Sequence, residues 1–77
     1  MNLYKLAKKI ANFAWDFDPY EARDNYDSFG DCLTETYMGL CNKTERKGII
    51  SWLENVIILD YEPEYARQLI AEVKAYD

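Results

Sequence analysis

Large apolar side chains recur at three- and four-residue steps along nearly the whole chain, and this spacing limits the fold more than any other feature of the sequence. It places the apolar side chains on one side of an α-helix, which has about 3.6 residues per turn. Only three glycines and two prolines interrupt the 77 residues. We therefore expect an all-α fold.

The first helix is predicted from about Asn2 to Phe17. The residues expected on its core side are Leu3, Leu6, Ile10, Phe13, Ala14 and Phe17. It ends before Asp18-Pro19, because a residue that precedes proline is pushed out of the helical region. Asp18 is also a good N-cap and Pro19 suits the first position of a helix, so the same dipeptide begins the second helix.

The second helix is predicted to continue to Leu40. Its apolar stripe consists of Ala22, Tyr26, Phe29, Leu33, Tyr37 and Leu40. The segment Asp27-Ser28-Phe29-Gly30 resembles a turn, and Ser28 with Asp31 could cap a new helix there. Two interpretations remain open, one helix kinked near Ser28 or two helices separated at this residue, and the periodicity favours the first.

The last two helices are predicted to begin at Asn42 and near Pro63. Asn42 and Glu45 form a variant of the capping box, and the third helix extends to about Leu59. So little of its surface is polar that we expect it to be the central element. The core residues expected in the last helix are Tyr65, Ala66, Leu69, Ile70, Val73 and Tyr76. Short connections between amphipathic helices predict a compact antiparallel bundle of three to four helices, in a single domain over residues 1–77.

The composition argues against most kinds of catalytic site. The chain has no histidine, which removes Ser-His and Cys-His nucleophilic pairs and most zinc sites. Gly30, Gly39 and Gly48 are isolated, so no glycine-rich phosphate loop is present. Neither Asp24–Glu35 nor Asp16–Asp27 has its glycine at the place that a calcium-binding loop requires. We predict no enzymatic activity, no cofactor and no metal site.

The two cysteines are predicted to be free thiols packed in the core or at its boundary. Cys32 and Cys41 lie about 13 Å apart along one helix and on opposite faces, whereas a disulfide needs Cα atoms within about 7 Å. Free thiols are typical of a reducing cytoplasm. No signal peptide is apparent, and the longest apolar run, Val56 to Leu59, is too short to span a membrane. We expect a soluble, cytoplasmic protein.

The net charge of −5 is spread unevenly along the chain. Met1 to Trp15 is basic, whereas Asp16 to Tyr37 has seven acids against the single base Arg23. Because duplex-binding proteins normally present a basic face, direct binding of nucleic acid is disfavoured.

Carboxylates form a regular line in the predicted second helix: Glu21, Asp24, Asp27, Asp31 and Glu35. On a continuous helix their spacing places them within about 60° of one line, opposite the apolar stripe. This line is either the solvated face of an acidic protein or a surface that occupies a basic groove on a partner. Tyr20 and Arg23 flank it, and both residue types are common interface anchors. A helix that breaks at Ser28 would remove the first two carboxylates from the line.

Two segments, Asp18 to Ser28 and Gly48 to Leu53, resemble small acidic helical modules of unknown function. Such modules are carried by phages, plasmids and conjugative elements of Gram-positive gut bacteria. Small acidic proteins of that setting include inhibitors of restriction and CRISPR nucleases, some of which imitate DNA. The resemblance covers about a third of the chain and transfers no site residues, because its segments contain no residue of known role.

Two functions are therefore expected. The first is a non-enzymatic interaction protein that presents the acidic helix face to a protein with a basic surface, as an inhibitor of a nucleic-acid-acting host defence enzyme would. The alternative is an assembly module that forms a homodimer through apolar surface on the third helix, near Trp52 and Ile58.

Overall fold

A computed structural model describes residues 2–17, 22 and 24–76 of the chain. These residues contain no strand, and four α-helices have both ends among them: α1 (Leu3–Phe17), α2 (Phe29–Cys41), α3 (Lys43–Ile58) and α4 (Pro63–Lys74). The prediction of an all-α fold with three to four helices is confirmed. The chain divides into two compact units, Met1–Met38 and Gly39–Asp77. That the chain forms a single domain stays a prediction.

Within the first unit, two aromatic contacts show that α1 and α2 are antiparallel. Tyr4 at the start of α1 makes an edge-to-face contact with Tyr37 near the end of α2, with ring centroids 6.1 Å apart. Trp15 near the end of α1 contacts Phe29, the first residue of α2, at 5.9 Å and in a similar orientation. Such pairs add to the stabilisation that comes from burial of the rings.

The predicted bounds of α1 agree with the structure to within one residue. The side chain of Asn2 accepts a hydrogen bond from the Tyr4 amide at 2.7 Å, which satisfies a backbone donor that the helix itself leaves unpaired. The side chains that α1 buries are Leu6, Ala7, Ile10, Ala11 and Phe13. Leu3, Ala14 and Phe17 were also expected in the core but are only half-buried.

Within the second unit, α3 and α4 form an antiparallel hairpin. The Arg46 guanidinium, in the first turn of α3, donates a hydrogen bond of 2.9 Å to the Tyr76 carbonyl just after α4. The other ends of the two helices are joined by residues 59–62. The core residues of the hairpin are Leu53, Val56, Ala66, Leu69, Ile70 and Val73. Tyr65, predicted in the core, is exposed, and Tyr76 is half-buried.

The prediction that α3 is the central element is wrong. Of its large apolar residues only Leu53 and Val56 are buried, whereas Ile58 is 78% exposed and the following Leu59 is 67% exposed. Two residues of helix turn the chain by about 200°, so Ile58 projects away from the side on which Val56 packs. The half-buried apolar residues of α3 are Ile49, Ile50, Trp52 and Ile57.

The connection between α3 and α4 uses left-handed backbone at two acidic residues. Asp60 has φ 61° and Glu62 has φ 42°. The Asp60 amide donates to the Ile57 carbonyl at 2.9 Å, and the Tyr61 amide donates to the Val56 carbonyl at 3.2 Å. This pair of bonds is the Schellman ending of a helix, in which glycine usually occupies the left-handed position that Asp60 has here.

The junction between α2 and α3 is a single capping residue. Asn42 accepts hydrogen bonds through Oδ1 from the amides of Thr44 at 2.9 Å and Glu45 at 3.1 Å. The Asn42 cap was predicted from the sequence and is confirmed. The last turn of α2 comes close to α3, because a Cβ atom placed on Gly39 would lie 3.2 Å from Ile49 Cδ1.

Replacing Asn42 with alanine should lower the free energy of unfolding by about 1 kcal/mol, because the two amides lose their acceptor. Urea denaturation followed by circular dichroism measures the change. The control is Asn55→Ala on the exposed side of α3. It should not destabilise the protein, since alanine is the better helix former. Equal losses in the two variants would contradict the role of Asn42 as a cap.

Alanine substitutions at two helical glycines should differ in their effect. Nothing lies within 4 Å of a Cβ atom on Gly48, so Gly48→Ala should raise the free energy of unfolding by about 0.5–1 kcal/mol. Gly39→Ala should give a smaller gain or a loss, because the new methyl group would press on Ile49. Thermal unfolding of both variants tests the difference, and an equal gain at Gly39 would show that α2 and α3 are not in close contact there.

Candidate acidic interaction surface

The continuous second helix that the apolar periodicity favoured does not form. Ala22, Asp24 and Asn25 are helical and the Tyr26 amide donates to the Ala22 carbonyl at 3.0 Å, but the helical conformation is lost from Tyr26 to Ser28. The other interpretation, two helices separated at Ser28, is the correct one. The predicted start of this region at Asp18-Pro19 lies outside the described residues.

Ser28 explains why α2 begins where it does. Its Oγ accepts a hydrogen bond of 3.2 Å from the Asp31 amide, and its carbonyl accepts one of 3.2 Å from the Cys32 amide. A serine side chain that satisfies a free amide of the first turn is a typical N-cap. This local stabilisation, and the bend before it, outweigh the apolar spacing that continues through the segment.

The buried side of α2 overlaps the predicted apolar stripe but extends to Cys32 and Thr36. Cys32 and Leu40 are buried, and Phe29, Leu33 and Thr36 are half-buried. Tyr37 was predicted in the apolar stripe, but it is 38% exposed. The buried positions follow steps of three and four residues counted from Phe29, as expected for a helix that begins at that residue.

Asp27, Asp31 and Glu35 form what we call the acidic surface. All three are exposed, and they line an open depression of about 440 Å³ together with Asn25, Tyr26 and Thr34. Asp24 is exposed in the helical residues before the break. It was predicted to continue the line, but it does not line the depression. Tyr20, Glu21 and Arg23, also predicted as partner-binding residues, lie outside the described residues.

The charge of the acidic surface is not balanced within its own segment. From Asp24 to Asn42 the sequence contains four acids and no lysine or arginine. Asp31 lies in the first turn of α2, where the partial positive charge of the helix N-terminus stabilises a carboxylate. This interaction offsets part of the repulsion from Glu35, four residues further along the same helix.

Tyr26 places a hydrogen-bond donor beside these acceptors. Partial burial raises the pKa of the Tyr26 hydroxyl above its ordinary value of 10.0, and the charges of Cys32 and Glu35 raise it further. The phenol therefore keeps its proton at neutral pH. Thr34 adds no free donor of comparable strength, because its hydroxyl donates to the Gly30 carbonyl at 2.9 Å.

The chemistry that this arrangement offers is hydrogen bonding and charge attraction. Exposed carboxylates accept hydrogen bonds from lysine and arginine side chains, and several of them together attract a basic surface from a distance. A catalytic carboxyl group usually needs a closed, water-poor cleft that shifts its pKa. The depression is open to solvent and lies on the surface.

The described residues contain no group of three or more His, Cys, Asp or Glu side chains that could hold a metal ion. The segment Asp24–Glu35, whose spacing was compared with that of a calcium-binding loop, is helical from Phe29 onward. It therefore lacks the extended loop that wraps a calcium ion.

Sequence reasoning missed the contribution of Tyr26, Asn25 and Thr34 to the depression. Tyr26 was assigned to the core because it fits the apolar period, and Asn25 and Thr34 have no signal of their own. The turn-like composition of Asp27-Ser28 was the available indication, since a break there moves Tyr26 out of the helical stripe.

The two cysteines are both free, as predicted, but their predicted packing in the core or at its boundary is correct for Cys32 and wrong for Cys41. Cys32 is buried at 3% exposure, whereas Cys41 is exposed. Burial raises the pKa of the Cys32 thiol, and a hydrogen bond with the Thr36 side chain offsets part of that rise. Thr36 also donates from Oγ1 to the Cys32 carbonyl at 2.8 Å.

A maleimide reagent at neutral pH should modify Cys41 and leave Cys32 intact, because the thiolate is the reactive form and Cys32 is both buried and harder to ionise. Peptide mass spectrometry over time measures the two rates, and both thiols should react in urea. Equal rates of modification of the two thiols in the folded chain would contradict the burial of Cys32.

Ionisation of Cys32 favours the unfolded chain, because burial raises the pKa of this thiol in the folded chain. The free energy of unfolding should therefore fall as the pH rises above the ordinary thiol range.

Comparisons with protein-family models, with curated proteins and with solved structures each find no match to this chain. The resemblance to small acidic modules of mobile elements therefore stays a prediction. None of the helices in residues 2–17 and 24–76 combines the length and the apolar character needed to cross a bilayer.

Proposed function

We propose that this chain is a non-enzymatic interaction protein that binds a basic surface of a partner protein through its acidic surface. The observation that supports this proposal is the exposure of Asp27, Asp31 and Glu35 around one open depression, in a segment without lysine or arginine. A cytoplasmic setting belongs to the same proposal, since both described thiols are free.

The charge of the acidic surface would act mainly on the rate and specificity of association. Single exposed ion pairs contribute about 0–1 kcal/mol each. Several like charges on one surface attract a basic partner before contact and repel acidic proteins. Tyr26, which lines the same depression, would supply a neutral contact that salt does not screen.

The finer part of the proposal is that the partner is a nucleic-acid-acting enzyme of host defence, inhibited in the manner of an anti-CRISPR or anti-restriction protein. Such enzymes have basic grooves for nucleic acid, and an acidic protein competes for them by charge. The break at Ser28 leaves Asp24 outside the line of carboxylates. The proposal therefore depends on charge and exposure, and not on a long regular row that imitates phosphates.

A double substitution tests the acidic surface. Asp31→Asn with Glu35→Gln should weaken the binding of a partner captured from a host lysate, because two exposed charges are removed without a change of shape. Binding between the purified proteins is measured at about 0.1 M and about 1 M salt, where the Debye length falls from about 10 Å to about 3 Å. Affinity of the unmodified chain should decrease with salt more steeply than affinity of the variant.

The matched control is Asp16→Asn with Glu45→Gln, which removes the same charge from two other exposed positions. Asp31 and Glu45 both lie in the first turn of a helix, so the neutralisation of either one costs similar helix stabilisation. The control should bind with almost the affinity of the unmodified chain. If both variants lose affinity equally, only net charge matters and the acidic surface is not the binding site.

Self-association through apolar surface near Trp52 and Ile58 on α3 was the alternative function. These two residues differ in their exposure. Trp52 is half-buried, whereas Ile58 is exposed. Sedimentation equilibrium of the unmodified chain tests this alternative, which requires a dimer that Ile58→Ser dissociates.

A further inference from the structure

The end of α3 presents two adjacent apolar side chains to solvent. Ile58 is 78% exposed and Leu59 is 67% exposed, more than any other large apolar residue in the described part of the chain. Single exposed apolar residues are common on protein surfaces, whereas contiguous exposed apolar surface marks interaction sites as its area grows. We call Ile58 and Leu59 the apolar pair.

Acidic side chains surround the apolar pair in sequence and in the hairpin. Glu54 lies one turn before Ile58 on α3, and Asp60, Glu62 and Glu64 follow Leu59. All four are exposed. The stretch from Gly48 to Ala66 contains no lysine or arginine, and the first basic residue after it is Arg67 in the second turn of α4. The charged residues nearest to the apolar pair in sequence are therefore all acidic.

The backbone at this end is also unusual for the residues that it carries. Asp60 and Glu62 both have left-handed φ values, of 61° and 42°. Aspartate is one of the few residues with a Cβ atom that adopt this region, whereas glutamate is disfavoured there and glycine or asparagine would fit better. Glu62 does not compensate as a cap, since its side chain makes no capping hydrogen bond to α4. Glu62 therefore reduces stability and adds charge close in sequence to the apolar pair.

The charge around the apolar pair decides among the partners that could cover it. In a symmetric dimer the same patch of both copies meets, which would bring Asp60, Glu62 and Glu64 of one copy against those of the other. Cytoplasmic membrane surfaces are negatively charged and would repel the same acids. A protein with apolar surface edged by lysine or arginine matches both the apolar side chains and the charge.

We propose that the apolar pair is a docking site for a partner protein whose apolar surface is edged by basic residues. This site belongs to the second compact unit, Gly39–Asp77, whereas the acidic surface belongs to the first, Met1–Met38. The proposal goes beyond the proposed function and does not depend on it, because the two surfaces share no residue.

A synthetic probe tests the chemistry of this site directly. The probe is a fluorescein-labelled peptide of leucine and lysine, patterned as an amphipathic helix whose apolar face is edged by lysines. Its affinity for the full chain is measured by fluorescence anisotropy. Replacing both Ile58 and Leu59 with serine leaves the net charge unchanged and should weaken binding by about tenfold or more, because the buried apolar contact is lost. Substituting Asp60→Asn, Glu62→Gln and Glu64→Gln should weaken binding and reduce its dependence on salt.

Matched controls separate this site from other surfaces. Met38→Ser removes an apolar side chain that is 58% exposed in the first unit, and it should change the affinity by less than about twofold. The Asp31→Asn, Glu35→Gln variant should bind the probe as the Asp16→Asn, Glu45→Gln control does. A second probe, with serine in place of leucine, should not distinguish the unmodified chain from the serine variant. Circular dichroism confirms that each variant is folded.

Four results would overturn the proposal. The first is binding of the leucine–lysine probe within about twofold after both apolar side chains are replaced. The second is a dimer of the unmodified chain, seen by sedimentation equilibrium, that the serine variant dissociates, which would assign the site to a second copy. The third is flotation of the chain with phosphatidylcholine–phosphatidylserine vesicles that the serine variant loses, which would assign it to lipid. The fourth is loss of binding of the leucine–lysine probe in the Asp31→Asn, Glu35→Gln variant alone, which would assign the binding of the probe to the acidic surface and not to the apolar pair.

Discussion

Antiparallel pairing of short amphipathic helices is the constraint on which this structure depends. The four described helices have 12 to 16 residues, and isolated helices of about that length are marginal in water. Each one therefore has to bury its apolar side against a neighbour. The aromatic contacts between α1 and α2, and the Arg46 bond that closes the α3–α4 hairpin, show two such pairings. Side chains that these pairings do not cover become the surface available to partners.

Capping residues decide where the charged and apolar surfaces fall along the chain. Ser28 begins α2 one residue before Phe29 and so fixes which of the neighbouring acids lie on that helix. Asn42 joins α2 to α3 without a loop. The Schellman ending around Asp60 terminates α3 directly after its two exposed apolar residues. Hydrogen bonds of single side chains and carbonyls thus determine which residues each surface contains.

Strong local signals made three of the four helices predictable. Asn42 and Pro63 mark helix starts by chemistry that acts within one turn, and the structure agrees with both of them. The first helix was predicted from its apolar spacing and from the Asp18-Pro19 stop, and its described bounds agree to within one residue. The second helix was predicted wrongly because apolar residues keep their spacing through the break at Ser28, where a local cap competes with the period. Which part of α3 is buried could not be read from its sequence, since α3 is apolar on most sides and its packing in the folded chain selects Leu53 and Val56.

The sequence predicted which acidic residues lie on the surface of α2 and that they lie opposite its apolar stripe. It did not predict the depression that Tyr26 lines together with Asp31 and Glu35. Asp31 and Glu35 are held on α2, a helix that is already formed and capped in the unbound chain. No folding step would therefore have to precede contact at these two carboxylates. Association of a partner with a preformed surface of this kind would be limited by the rate of oriented encounter. Differences in affinity between related complexes would then come mainly from their dissociation rates.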